Sequence, residues 1–146
     1  MQKIVQGLSE LLADTYLVYL KTQNFHWNVR GPYFYSLHKM FEEQYNELAL
    51  ASDTIAERIR ALNAFAPASF AEFLKLTSLK ESRHDLPAEG MIKALLKDHE
   101  ILHKTCMKLF KAAQQAQDEV TVDLLLKRMD VHDKTAWMLR SHLGKM

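Results

Sequence analysis

The sequence predicts an all-α fold, a bundle of four long helices in which one connection is much longer than the others. Two observations carry this prediction. The chain has only 4 glycines and 3 prolines among its 146 residues, and most of them cluster at a few breaks. Between the breaks, apolar side chains recur three and four positions apart, which is the spacing of one helical face. The length favours one domain, residues 1–146.

The helices are predicted, in order, at about 3–30, 34–62, 88–116 and 120–143. Gly31-Pro32 separates the first two, because glycine and proline interrupt helices. So short a link makes these two helices antiparallel neighbours, and the last two are joined in the same way near Asp118. The faces expected to form the core are Ile4, Leu8, Leu11, Thr15, Val18, Thr22, Phe25 and Val29; Leu37, Phe41, Tyr45, Leu48, Ile55, Ile59 and Leu62; Ile92, Leu95, Leu102, Cys106, Leu109 and Ala113; and Leu125, Met129, Ala136, Leu139 and Leu143.

The connection between the second and third helices, roughly 63–87, is too long for a plain turn. Within it, Ser69 can cap a short helix that begins at Phe70. Four helices with one long crossover make the ferritin-like arrangement. The predicted fold is therefore a ferritin-like four-helix bundle with a short extra helix in the long crossover between helices two and three.

Composition and charge argue against several classes of protein. With 48% apolar and 25% charged residues, the chain is not of the disordered class. Its net charge of +1 gives no strong field toward nucleic acid or a membrane surface. The single cysteine, Cys106, excludes an intrachain disulfide framework. No apolar run reaches the roughly 20 residues of a membrane span, and the first residues lack a signal-peptide core, so a cytoplasmic protein is expected.

One face of the second helix carries His38, Glu42, Asp53 and Glu57. With Leu37 at zero, these four fall at roughly 100°, 140°, 160° and 200° around the helix, away from the apolar stripe. Imidazole and carboxylate are ligands for iron, zinc or manganese. However, Glu42 and Asp53 are roughly 17 Å apart along the axis, so one metal cannot bind both in one copy.

The face therefore offers two half-sites, His38 with Glu42 and Asp53 with Glu57. An antiparallel twofold copy of the helix would bring the first half-site of one chain opposite the second half-site of the other. Two equivalent metal sites per dimer would result, as twofold symmetry requires. An ordinary solvated helix face explains the same charges, and the spacing alone favours that simpler interpretation.

A resemblance to a known family decides between these readings. The chain closely resembles the Dps family, the mini-ferritins called DNA-binding proteins from starved cells, over nearly its whole length. The residues that carry the resemblance are Asn24-Phe25-His26-Trp27-Asn28-Val29-Arg30-Gly31, Phe34, Leu37-His38, Phe41, Tyr45, Asp53-x-Ile55-Ala56-Glu57-Arg58 and Lys134-x-x-Trp137-Met138-Leu139-Arg140. A His-Trp pair followed at these distances by histidine, carboxylate, Asp and Glu is highly specific.

The resemblance implies a shell of twelve subunits that oxidises Fe(II) with hydrogen peroxide or oxygen and stores a ferric mineral. It places His26, His38 and Glu42 of one chain beside Asp53 and Glu57 of its mate. The turn after the first helix fits this, because it lets His26 and His38 face each other. Glu42 stands where the family usually has aspartate, which leaves its coordination role open. Trp27 has two readings, interface packing and, from the family, electron donation near the site.

Weaker candidates have adequate structural explanations. Glu100 and His103 match the Glu-x-x-His pattern of a di-iron site inside one bundle, but the second match, Glu81 with His84, lies in the crossover, so an intrachain site is not expected. The histidines on or beside apolar stripes are interpreted as partly buried and hydrogen-bonded, with an accessory metal site as the alternative. These are His99, His103 and His132.

Two further sets of charges leave alternatives open. Asp118, Glu119 and Asp123 either cap the fourth helix and favour its dipole, or line the negatively charged pores that the resembled family uses to admit cations. DNA binding through basic tails is not expected, because only Lys3 opens the first helix and only Lys145 follows Gly144. A basic patch of Lys75, Lys80 and Arg83 is the alternative to a solvated loop.

The expected function is therefore that of an iron-oxidising and iron-storing mini-ferritin, a ferroxidase that protects against oxidative damage. The alternatives are a DNA-compacting protein with secondary iron handling and a purely structural bundle. The sequence leaves open the preferred oxidant, the iron capacity and the competition from zinc or manganese.

Overall fold

The computed structural model describes residues 1–144, which form four long helices and one short one. The helices are α1 (Gln2–Asn28), α2 (Phe34–Ala61), α3 (Phe70–Leu76), α4 (Ala88–Gln115) and α5 (Glu119–His142). The predicted all-α class and the extra helix in the crossover are confirmed, and no strand occurs among residues 1–144. Lys145 lies outside the described residues.

The helices pack as two hairpins. α1 lies along α2 and α4 along α5, while α1 also contacts α4 and α2 contacts α5 more lightly. The apolar faces expected from the sequence meet in one core, where most of their members are buried. Tyr45, Leu62 and Leu143 depart from the expectation, since they are only half-buried at its edge. Nowhere in residues 1–144 is there a helix of the length and apolar character that a membrane crossing needs.

The turn between α1 and α2 sets the geometry of the site. Val29 is extended and buried, and Gly31 has a φ of 124°, a conformation that residues with a Cβ rarely adopt. The Phe34 amide then donates to the Gly31 carbonyl at 3.1 Å, and α2 begins. The end of α1 consequently lies beside the first turns of α2.

Side-chain hydrogen bonds fix the crossover. The predicted cap is confirmed, since the Ser69 hydroxyl accepts from the Glu72 amide at 3.2 Å. Downstream, the carboxylate of Asp14 on α1 accepts from the Thr77 hydroxyl at 2.6 Å and from the Ser78 amide at 2.8 Å. The buried ammonium of Lys21 donates to the Lys80 carbonyl at 2.9 Å. These bonds attach α3 and the chain after it to α1.

Candidate metal centre

His26 near the end of α1 and His38 in the second turn of α2 face each other, as the sequence predicts. Each ring makes a hydrogen bond to the backbone carbonyl of the other residue. The Nδ1 atom of His26 is 2.7 Å from the His38 carbonyl oxygen, and the Nδ1 atom of His38 is 2.8 Å from the His26 carbonyl oxygen. The rings are nearly parallel, with centroids 3.8 Å apart and planes 12° from each other.

These reciprocal bonds assign the tautomer of both rings. A carbonyl oxygen only accepts, so each Nδ1 must carry a proton and donate it. In the neutral imidazole the lone pair then resides on Nε2. A hydrogen bond from the other ring nitrogen is also what orients a metal-binding histidine. Both rings are therefore held with an Nε2 lone pair available to a metal ion.

Two aromatic rings hold the histidine pair in place. The Phe34 ring stacks on His38 with centroids 5.0 Å apart, and Tyr45 meets His26 edge-on at 5.2 Å. His26 is buried and His38 half-buried. The sequence predicts Tyr45 only as a core residue and misses this contact. The available signal is its position seven residues after His38, which returns it to the same face of α2.

Glu42 follows His38 by one helical turn. Its side chain is half-buried, and Oε1 lies 3.6 Å from the ammonium of Lys39 on the same helix. That exposed ion pair is weak, so the carboxylate is free to turn toward a cation. Glu42 and His38 thus share one half of the face that the sequence identifies.

Asp53 and Glu57 form the other half, and both are exposed. Neither makes an ion pair within residues 1–144. The helix places Asp53 roughly 17 Å from Glu42 along its axis, so one chain does not bring the five residues together. Within the described part of the chain, no group of three or more histidine, cysteine, aspartate and glutamate side chains could hold a metal ion.

A second histidine pair is buried between α4 and α5. The Nδ1 atoms of His99 and His132 are 2.9 Å apart, and the Arg128 guanidinium donates to Nε2 of His132 at 3.3 Å. His132 therefore donates from Nδ1 to the Nδ1 of His99. Arg128 is in turn paired with Glu47 on α2, with Nη2 3.2 Å from Oε1. The sequence predicts partly buried, hydrogen-bonded histidines. The hydrogen bonds are confirmed, but His99 and His132 are fully buried.

Burial keeps this pair uncharged. It lowers the pKa of His99 to about 3, with the Arg128 charge adding to the effect. Burial, followed by the nearby charges of His99, Arg128 and His103, lowers the pKa of His132 well below its ordinary value. The pair is a structural hydrogen-bonded element of the bundle.

We expect acid to destabilise the protein through this pair. The histidines of the unfolded state bind protons near pH 6.5, whereas those of the folded state bind them only at far lower pH. The stability that the pair contributes is therefore complete above pH 6.5 and decreases as the pH falls below 6.5. The loss reaches at most about 1.4 kcal/mol per pH unit for each histidine. Urea unfolding of the wild type and of His132→Gln between neutral pH and about pH 5 checks this, with exposed His84→Gln as the control. Equal pH dependence in all three proteins would contradict it.

Asp118 caps α5, which confirms the first of its two interpretations, that of a helix cap. Its carboxylate accepts from the Thr121 amide at 3.1 Å and from the Arg58 guanidinium at 2.7 Å. Burial opposes ionisation, but the hydrogen bonds from Thr121 and the Arg58 charge outweigh it and hold the pKa of Asp118 below its ordinary value. Glu119 and Asp123 are exposed, so their role in lining a negatively charged pore stays a prediction.

Comparison with known proteins agrees with the fold. A family model for the ferritin-like domain matches residues 5–146. DNA protection during starvation protein 2 of Bacillus anthracis is 40% identical, over 99% of both chains. General stress protein 20U of Bacillus subtilis is 34% identical, over 98% of this chain and 99% of that one.

Solved structures give the same result. Dps from Thermosynechococcus elongatus superposes with a TM-score of 0.96 at 30% identity, covering 99% of this chain and 92% of that one. A Dps protein from Vibrio cholerae O1, described as a member of a broad superfamily of ferritin-like diiron-carboxylate proteins, superposes with a TM-score of 0.94 at 33% identity, covering 97% and 89%. The chain therefore belongs to the ferritin-like family, and within it to the Dps proteins.

Proposed function

We propose that this protein is a ferroxidase mini-ferritin, which oxidises Fe(II) at sites shared by two subunits and stores the ferric product inside a shell of twelve. Iron is its substrate and cargo. The observation that carries the proposal is the pair His26 and His38, in which mutual Nδ1 hydrogen bonds leave both Nε2 lone pairs available. Membership of the Dps proteins supports the same function.

The five candidate ligands divide between two chains. His26, His38 and Glu42 come from one subunit, and Asp53 and Glu57 come from a second copy related by a twofold axis. The carboxylates neutralise the charge of the iron, while the imidazoles complete the ligand set. A twofold arrangement makes two equal sites. The exposure of Asp53 and Glu57 fits this, because ligands offered to another chain must lie at the surface.

Hydrogen peroxide is the oxidant that we propose. It accepts two electrons when it is reduced to water, so two Fe(II) ions can consume one peroxide without releasing a hydroxyl radical. Such a reaction protects a cytoplasm that contains Fe(II). The only cysteine does not compete for the oxidant, since burial raises the pKa of the Cys106 thiol to about 12 and keeps it protonated.

The direct test measures the native particle and then its reaction. Native mass spectrometry should show twelve subunits, and anaerobic Fe(II) titration should show saturable binding at one or two ions per subunit. Adding peroxide should then produce ferric absorbance faster than air does. A monomer, or Fe(II) that oxidises no faster than in buffer, would refute the proposal.

DNA binding is the second candidate function, and one surface favours it. Exposed lysines line one face of α4 within an arc of about 60° and over roughly 27 Å. They are Lys93, Lys97, Lys104, Lys108 and Lys111. Lys93 pairs with Glu89 at 3.1 Å, and the other four make no ion pair within residues 1–144. This lysine row is a denser cluster than the loop patch that the sequence predicts.

We expect DNA binding at low salt only, because affinity that rests on phosphate contacts falls steeply with salt. Gel retardation of plasmid DNA should therefore appear at low ionic strength and disappear at physiological salt. Lys104→Glu/Lys108→Glu should abolish it, whereas Lys75→Glu/Lys80→Glu, which makes the same charge change in the crossover, should not. Tight retardation that survives physiological salt would contradict the expectation.

A further inference from the structure

A cleft between the start of α2 and the end of α5 is lined by two thioethers, an imidazole and an indole. It is open to solvent and has a volume of about 440 Å³. The side chains that line it, called the methionine cleft below, are Met40 and Glu43 of α2 and Trp137, Met138, Ser141 and His142 of α5. None of them belongs to the candidate metal centre.

The packing of α2 against α5 brings these side chains together. Arg58 near the end of α2 contacts Asp118 at the start of α5. Glu47, earlier in α2, contacts Arg128, which lies later in α5. The two helices are therefore antiparallel, and each step toward the start of α2 corresponds to a step toward the end of α5. Met40, about two helical turns before Glu47, consequently lies beside the last turns of α5.

The two candidate ligands on α5 share one face of that helix. Met138 and His142 are four positions apart, a spacing that leaves the Cβ atoms of two residues roughly 5–6 Å from each other. Both side chains are exposed, and His142 makes no ion pair within residues 1–144. Met40 is half-buried and packs against the core. Its sulfur therefore has a fixed place, toward which the two side chains of α5 can turn.

The donor set favours a soft, singly charged metal ion. Thioether sulfur selects Cu(I), and imidazole also suits copper, whereas carboxylate and water suit magnesium, calcium and manganese. A thioether carries no charge, so it binds a divalent ion such as Fe(II) poorly. The face of a tryptophan ring attracts a cation that lies within about 6 Å of its centroid. The buried Cys106 offers no thiolate as an alternative, because burial raises its pKa to about 12.

We propose that the methionine cleft binds one Cu(I) ion, with the sulfur atoms of Met40 and Met138 and a ring nitrogen of His142 as ligands. The indole of Trp137 covers the ion on the solvent side. Glu43 adds a negative charge at the rim, and this carboxylate makes no ion pair within the described residues 1–144. The cleft thus offers a soft, negatively charged setting to a single cation.

The copper site is separate from the proposed iron site. With Leu37 at zero, Met40 falls at roughly 300° around α2, whereas His38 falls at roughly 100°. The two metals would therefore bind on different sides of a helix that is about 10 Å wide. The donor sets differ as well, because the five candidate iron ligands include three carboxylates and no sulfur. Copper binding consequently does not depend on the proposed oxidation of Fe(II).

The test titrates the native oligomer with Cu(I) in the absence of oxygen, in competition with a coloured Cu(I) chelator. The wild type should retain about one Cu(I) per subunit, and X-ray absorption at the copper edge should show sulfur and nitrogen neighbours. Met40→Leu/Met138→Leu replaces both thioethers with side chains of similar volume. It should lower the affinity at least about tenfold, since loss of a mere outer-shell partner already costs about 10- to 100-fold. His142→Gln should remove the nitrogen neighbour and keep the sulfur.

A matched control changes the same residue types elsewhere. Met107→Leu/His84→Gln alters an exposed methionine and an exposed histidine outside the cleft and should leave the affinity for Cu(I) unchanged. Circular dichroism and native mass spectrometry verify that every variant keeps its fold and its particle. Copper that the chelator removes completely from the wild type would overturn the proposal. Equal affinity in Met40→Leu/Met138→Leu and the wild type, or an equal loss in the control, would overturn it too.

Discussion

Replacing both His26 and His38 by alanine is expected to slow the initial peroxide-driven oxidation of Fe(II) drastically. The two Nε2 lone pairs are the only nitrogen ligands proposed for the site, and both disappear. Loss of even an outer-shell partner of a metal ligand typically costs roughly 10- to 100-fold in affinity or activity, so loss of two direct ligands should cost at least that much. Stopped-flow absorbance of the ferric product measures the effect.

The fold should survive this double substitution. Both histidines lie within helices that are closed by backbone hydrogen bonds, and alanine is the strongest helix former. Circular dichroism should therefore show unchanged helix content, and native mass spectrometry an unchanged particle. His84→Ala/His142→Ala removes two exposed histidines elsewhere and should leave the kinetics intact. Initial kinetics equal to the wild type in the His26/His38 variant would remove these positions from the site.

The sequence predicts the fold well because the information is local. Spacing of three and four residues identifies each apolar face without knowledge of its neighbours, and Gly31-Pro32 identifies the tightest turn. The position of His26 opposite His38 follows from that turn alone. Ser69 is recognisable as a cap because its partner, Glu72, lies three residues away.

The remaining features depend on residues far apart in the chain. Asp14 accepts hydrogen bonds from Thr77 and Ser78, and nothing near Asp14 in the sequence indicates this. The charge network from Glu47 through Arg128 to the buried histidines likewise spans three helices. Predicting such contacts requires knowing how the packed helices are rotated relative to one another, and the periodicity does not determine this. The same holds for the contact between Tyr45 and His26.

Mixing two inactive variants should restore activity, which is the sharpest consequence of a site divided between chains. One variant carries His26→Ala/His38→Ala, and the other carries Asp53→Ala/Glu57→Ala. Neither retains an intact site by itself. In a mixed twofold pair, one site receives both defects, while the other combines the histidines of the second variant with the carboxylates of the first. About half of the sites in each mixed pair should therefore work.

The experiment dissociates the two variants, mixes them in equal amounts and reassembles them before Fe(II) oxidation is measured. Random pairing makes about half of the pairs mixed, so roughly one quarter of the wild-type sites should be recovered. The matched control mixes the histidine variant with a chain that carries all four substitutions, because no pairing of those two chains completes a site. Mass spectrometry verifies that mixed particles have formed. Verified mixed particles without recovered activity would mean that the ligands act within one chain, against the roughly 17 Å that α2 places between Glu42 and Asp53.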